Sequence, residues 1–261
     1  MIGKSLRIVF LAALFIYFAL PLIMTVIFSL SRGQAGFGPD AYVALLSRGD
    51  LLAPLWMSAQ LALATVACIL LVMVPAVIAV HLFAPRLRML LELAAILPFV
   101  IPGIALVAGL SVLISGPGWL IGSPFFLTLP YFFLALPYAY RAIDIAISNL
   151  DLAQLRLAAA SLGAGVGRTI LWVVMPNLWP ALVNAALMTF TVVLGEFTVA
   201  NILLFQTFPV SINLVGKSEP AEAAALTIVS FLLTWIALLI VLLVGRNSRK
   251  TFDPVQSGAS S

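Results

Sequence analysis

Apolar residues fall in six long blocks along this chain, separated by short polar breaks. The blocks are Ile8–Leu30, Leu55–Leu82, Met89–Ile114, Phe125–Ile143, Val173–Phe205 and Ala223–Gly245. Each comes close to, or exceeds, the run of about 20 apolar residues that crosses a hydrocarbon core. None shows the short apolar–polar alternation of barrel strands, so helices must satisfy the backbone inside lipid. The pattern predicts an all-α membrane protein with six transmembrane helices. The fifth block is the longest, which fits a tilted span or a span joined to a surface helix. The first follows Lys4 and Arg7 as a signal peptide would, but its apolar run is too long for one and is read as a retained span.

The polar breaks differ in character. Residues 31–54 open with Gly33, Gly36, Gly38 and Pro39, after which Asp40 suits the cap of a short surface helix, Ala41–Ser47. Residues 115–124 form an uncharged turn carrying Trp119, and Gln206–Glu222 is a third outer segment. Residues 246–261 read as a polar, small-residue-rich tail, expected to be disordered. The chain thus divides into a first span with its outer segment (1–54), a core membrane domain (55–245) and the tail.

The break at Asp144–Met175 is too polar to span and too long for a turn. Its first half, DLAQLRLAAASLG, predicts a short helix with Asp151 as N-cap and Gly163 just past its end. Gly165 and Gly167 follow, and Pro176 suits the first turn of a new helix, where a missing N–H costs little.

Composition agrees with this pattern. Of 261 residues, 64% are hydrophobic and 8% charged, against about 25% charged in soluble domains. Cys68 is the only cysteine, which excludes an internal disulfide framework, and it reads as a buried small hydrophobe. His81 is the only histidine, so no histidine cluster exists to hold a metal, and no cofactor is expected.

The net charge of +4 takes its meaning from its distribution. With the N-terminus inside, the inner segments hold Lys4, Arg7, Arg86, Arg88, Arg141, Arg156, Arg168, Arg246, Arg249 and Lys250. The outer segments hold only Arg32, Arg48 and Lys217. The positive-inside rule then places both termini in the cytoplasm, and the scatter over four inner segments gives no patch for nucleic acid.

The inner segment carries a resemblance to a known family. Permease subunits of ABC importers share a cytoplasmic loop of the form E-A-A, three residues, G, nine residues, I-x-L-P. Ala158, Ala159, Gly163 and Pro176 fall on that spacing, Val173 and Met175 stand at the Ile and Leu positions, and Leu157 stands where Glu is usual. The string TVVLGEFTVANILLFQTFPV and LPYAYRAI at 136–143 resemble the spermidine/putrescine branch, and thiamine, iron and aminoethylphosphonate permeases share much of the pattern. The resemblance implies a type I importer permease fold in a bacterial inner membrane. It implies two ATP-binding subunits, a second permease subunit (a heterodimer is favoured), an external solute-binding protein, and no catalysis by this chain. It also implies a coupling role for residues Leu157, Ala158, Ala159, Ser161, Leu162, Gly163, Ala164 and Pro176, with a polyamine as the first-guess substrate. Leu157 removes a charge usually present in the loop.

Other residues carry alternatives. Glu196 lies roughly 30 Å along a helix from Pro176, where a carboxylate must face a cavity or a partner. It either lines a translocation path for a cation, with Thr198 and Asn201, or makes a helix–helix hydrogen bond to Thr198, Asn201 or a partner subunit. Asn184, Thr189 and Thr191 share its span. Glu92 is expected to pair with Arg88 four residues earlier, and Arg141 and Asp144 to anchor the fourth span at the interface. Pro98 and Pro102 interrupt the third span, and Pro130 and Pro137 the fourth, as hinges or as fixed kinks. The string VGKS at 215–218 lacks the first glycine of a phosphate loop, so ATP is expected on another subunit. A stand-alone secondary transporter or channel is the competing class.

Overall fold

The computed structural model describes residues 2–31, 36–47, 49–113 and 122–250. Arg32, Gly33, Arg48, Trp119 and residues 251–261 lie outside them. The described chain is helical: α1 Ile2–Ser29, α2 Asp40–Ser47, α3 Leu52–Phe83, α4 Arg88–Val100, α5 Gly103–Leu113 and α6 Thr128–Ser148. Then come α7 Leu152–Ser161, α8 Val166–Thr169, α9 Met175–Leu194, α10 Thr198–Ile202, α11 Phe208–Ser218 and α12 Pro220–Lys250. No strand occurs among the described residues beyond an isolated bridge between Ser31 and Phe37. The helix α12 continues past Arg246, so the expected disordered tail does not begin there.

The core is a bundle of α3, α6 and α9, which pack on one another more extensively than any other pairs. One layer of it joins Ile69, Met73 and Val77 to Ala135, Ala139, Tyr140 and Ile143, and to Leu178, Leu182 and Ala185. Ala95, Ala135, Ala139 and Ala185 are almost fully buried. Small side chains at these crossings let backbones approach closely, which is how helices gain packing energy where lipid offers no hydrophobic drive. A second layer sets Leu61 and Ala62 against Leu127, Tyr131, Val193, Val199 and Val210. The hydroxyl of Ser58 accepts from the Phe208 N–H at 2.8 Å, so a buried polar contact ties the start of α11 to α3.

Outside this core the surface is apolar. Phe10, Phe15, Tyr17, Phe18 and Ile23 of α1 are all more than half exposed, a surface that only lipid or protein can cover. Among the described residues, three helices are long and apolar enough to cross a membrane: Leu6–Ser29, Leu52–Phe83 and Val166–Ile202. A fourth is counted if Pro85–Val100 and Gly103–Leu110, bent by 103°, form one broken span. The fourth block of the sequence, now α6, falls outside that set. It carries Arg141, Asp144 and three tyrosines, and much of it is surrounded by other helices rather than by lipid.

The bend between α4 and α5 has a local cause. Ile101 precedes Pro102, whose ring drives the preceding residue out of helical geometry, and Ile101 is extended at φ −88°, ψ 115°. Pro98, by contrast, stays inside α4, and both Pro130 and Pro137 lie within an unbroken α6. Cys68 is exposed, not buried. It lies on the side of α3 turned away from α6 and α9, where an apolar residue needs no protein cover in lipid.

Candidate functional site

Three places hold the residues that the sequence singles out. The first is the loop between α6 and α9. Three residues, Asn149–Asp151, connect α6 to α7, and the Asp151 carboxylate accepts from the Gln154 N–H at 3.0 Å, the expected N-cap. The other end closes on Gly163 at φ +77°. Its N–H bonds to the Ala160 carbonyl at 3.0 Å and the Ala164 N–H to the Ala159 carbonyl at 2.9 Å. This pair of bonds is the Schellman arrangement, and it needs a left-handed residue at this point. A Cβ on Gly163 would meet nothing within 4 Å, so the demand for glycine is set by backbone geometry alone.

The helix α7 rests on the body through Leu152, Leu155 and Ala159, spaced at i, i+3 and i+7. Leu157, Ala158, Ser161 and Leu162 are exposed, and Ala164 is half-buried. After Gly165 the chain enters α8 and then a π-turn, Ile170–Val174, where the Met175 N–H reaches the Ile170 carbonyl. Pro176 follows in the first turn of α9. Proline cannot donate to the carbonyl four residues back, and the wider turn ahead of it relieves the ring's clash with the preceding turn. The expected new start at Pro176 is therefore a continuous helix that changes pitch.

The second place is a polar cluster at the same end of the bundle. The Asp144 carboxylate, 7% exposed, accepts from the Arg88 guanidinium at 2.9 Å and stands 3.3 Å from Nε2 of His81. Nδ1 of His81 lies 2.9 Å from the Val77 carbonyl. Arg88 also donates to the Ser148 hydroxyl, which in turn donates to the Asp144 carbonyl. Asp144 thereby joins α3, α4 and α6. The expected Arg88–Glu92 pair along one helix does not form. Arg88 turns to Asp144, where it finds a desolvated carboxylate, and Glu92 pairs with Arg141 at 3.2 Å. Sequence reading placed Asp144 at the interface. The signal it passed over was the coincidence of an acid, the sole histidine and Arg88 at the ends of three adjacent apolar blocks.

The third place is the break after α9. Glu196 lies in it, half-buried, with one carboxylate oxygen accepting from the Val199 N–H at 2.8 Å and the other from the Ala200 N–H at 3.3 Å. The carboxylate caps the N-terminus of α10, where free N–H groups and the helix dipole favour negative charge. These bonds run to backbone within its own segment, not to the side chains of Thr198 or Asn201. Both of those are exposed. The buried hydroxyl of Tyr131 on α6 lies within electrostatic reach of Glu196. The start of α5 packs beside the start of α10, at Gly103 and Thr198, so two interrupted helices meet here.

The far end of α10 is closed by another Schellman pair, Leu204 N–H to Asn201 and Phe205 N–H to Ala200. Here the left-handed position is taken by Leu204, at φ 60° and 88% exposed. A non-glycine residue in this region costs roughly 1–2 kcal/mol. The substitution Leu204→Gly is expected to stabilise the protein by about 1 kcal/mol. A raised midpoint in a denaturing-detergent titration checks this, and a lowered midpoint counts against the strain.

No family model matches the chain, and no curated protein gives a significant match.

Proposed function

We propose that this chain is the membrane permease subunit of an ATP-driven importer. In this reading the six apolar blocks are six spans of a type I importer permease fold in a bacterial inner membrane, with both termini in the cytoplasm. ATP is hydrolysed on two copies of a separate subunit, a second permease subunit completes the pore, and an external binding protein delivers the solute.

The observation that carries the reading is the build of α7. It is short, capped at both ends and exposed on one side, and it joins α6 directly to the helix leading into α9. Those are two of the three helices of the core. A displacement of α7 by an outside motor is therefore passed to the bundle, the rigid-body coupling that such machines use. The solute's route is assigned to the break around Glu196, Thr198 and Asn201, because irregular backbone within a membrane survives only where protein or a cavity satisfies it. A polyamine is the first-guess substrate.

The paired helix breaks, one of which holds an acid, also suit a stand-alone secondary transporter, which builds its sites from interrupted helices. Uptake of radiolabelled spermidine into proteoliposomes separates the two. The importer reading expects uptake only with ATP and the co-purified ATP-binding subunits, abolished when their hydrolysis is blocked. Uptake by this chain alone, driven by an ion gradient, refutes it.

A further inference from the structure

The helical run from Val166 to Ile202 is too long for the membrane it is apolar enough to cross. Its 37 residues extend about 55 Å at about 1.5 Å per residue. The hydrocarbon core is about 30 Å thick, and even a tilt of about 40° does not absorb the difference. At least one end must leave the hydrocarbon, and the side chains on the outward face mark where.

Trp172, Met175, Trp179, Val183, Ala186 and Phe190 recur at spacings of three and four, so they share one face of the helix. None of them is buried. From Trp172 to Phe190 the stripe runs about 27 Å, close to the thickness of the hydrocarbon. Asn177, Asn184 and Thr191 fall on another side. One spacing before Trp172 the stripe ends in Arg168, which is exposed and has no ion-pair partner among the described residues. Trp172 is 77% exposed and Leu171 beside it 66%, whereas Thr169, Val174 and Leu178 on the opposite side are buried in the bundle.

We infer that Arg168 and Trp172 form a lipid-headgroup contact, with the guanidinium on lipid phosphates and the indole in the glycerol layer beneath them. Basic, then aromatic, then apolar along one face is the order of layers that a leaflet presents. A guanidinium meets phosphate through two parallel hydrogen bonds. The indole N–H finds acceptors among the ester carbonyls while its ring meets the acyl chains. Lipid fits this face better than a protein partner does, because the exposed stripe is as long as the hydrocarbon is thick and carries no polar group between its ends. The contact pins α8 at the membrane surface and leaves α7, across the Gly163 turn, as the free part of the loop. The inference goes beyond the importer reading and needs only that the chain crosses a membrane.

The test reads the depth of Trp172 in the full-length chain, reconstituted in vesicles of phosphatidylglycerol and phosphatidylcholine. The other tryptophans are changed to phenylalanine, and acyl chains brominated at successive carbons serve as quenchers. Trp172 is expected to be quenched most by the bromines nearest the headgroup. A second protein that keeps only Trp179, seven residues along the same face, is expected to be quenched most about 10 Å deeper. Arg168→Glu is expected to lower the shallow quenching of Trp172, and Arg168→Lys to retain it. Equal quenching in the arginine, lysine and glutamate proteins overturns the phosphate contact. A Trp172 untouched by bromines at every depth, or quenched most at the deep carbons, overturns the boundary.

A spin label on Leu171→Cys, in a Cys68→Ser chain that keeps every tryptophan, reads the same boundary without the other replacements. Comparable access for oxygen, which dissolves among the chains, and for a water-soluble nickel chelate supports it. Access for one alone, or for neither, overturns it. None of these measurements uses ATP-binding subunits, so their failure leaves the importer reading to its own test.

Discussion

Gly163→Val is expected to leave the protein folded in the membrane and to separate ATP hydrolysis from uptake. The reason is local. Gly163 holds φ +77° with open space where a side chain would stand, so no neighbour resists the valine and all the cost falls on the backbone. A left-handed conformation costs an ordinary residue roughly 1–2 kcal/mol, and a β-branched one is a clear outlier there. The cheapest relief is to give up the two hydrogen bonds that turn the chain from α7 into α8. The buried residues of the core include none between Ala159 and Thr169, so the bundle itself is untouched. A bias of that size shifts the population of docked, correctly angled α7 by a factor of about 5 to 30. Hydrolysis and uptake measured in the same proteoliposomes should show uptake per ATP falling by that order. Gly163→Asn, which tolerates the left-handed region, should retain most of it. Normal coupled uptake in the valine variant would exclude α7 as the lever.

The features legible in the sequence were those written locally. Asp151 and Gly163 bracket α7 because a cap and a left-handed turn depend on residues within four positions of each other. Apolar run length gave α1 and α3 their approximate extents for the same reason, but it missed the breaks inside the third and fifth blocks. Long-range pairings escaped. Arg88 has an acid one turn away on its own helix, and pattern alone chooses that neighbour. In the structure it chooses Asp144, 56 positions on, because burial makes an unpaired carboxylate far costlier than an exposed Glu92. Glu196 was recognisable as an acid that needs a partner, but the partner was backbone, which sequence does not display. The prolines divide by context. Pro102 breaks a helix while Pro98, Pro130 and Pro137 do not: Pro130 falls in the first turn of α6, where no intrahelical bond is lost, and Pro98 and Pro137 are accommodated within their helices. Cys68 shows the reverse error: in a chain whose solvent is lipid, an apolar position need not be an interior one.

Asp144→Ala should destabilise the end of the bundle that carries α7 more than any other single polar change. The carboxylate is 7% exposed and receives Arg88, while His81, 11% exposed, stands against its other oxygen. Removing it leaves the buried edge of His81 facing apolar neighbours and takes from Arg88 the charge that fixes its position. Breaking a fully buried pair costs about 3–5 kcal/mol. Arg88 is 45% exposed, so water recovers part of its solvation, and the cost expected here is nearer 2 kcal/mol, that of a lost charge-assisted hydrogen bond. A denaturing-detergent titration should show a lowered midpoint for Asp144→Ala. Asp144→Asn, which keeps an oxygen for Arg88 but not the charge, should fall between it and the wild type. The consequence reaches α7, because Ser148, four residues on, shares the Arg88 contact and lies at the last turn before the connection Asn149–Asp151. On the importer reading, loosening that turn frees α7 from the core helix it would push. Asp144→Ala should therefore lower uptake per ATP as well as stability, with Gly163→Val lowering stability by about 1–2 kcal/mol through backbone strain alone. If Asp144→Ala left the midpoint unmoved, the tie through Asp144 would not be what holds α3, α4 and α6 together.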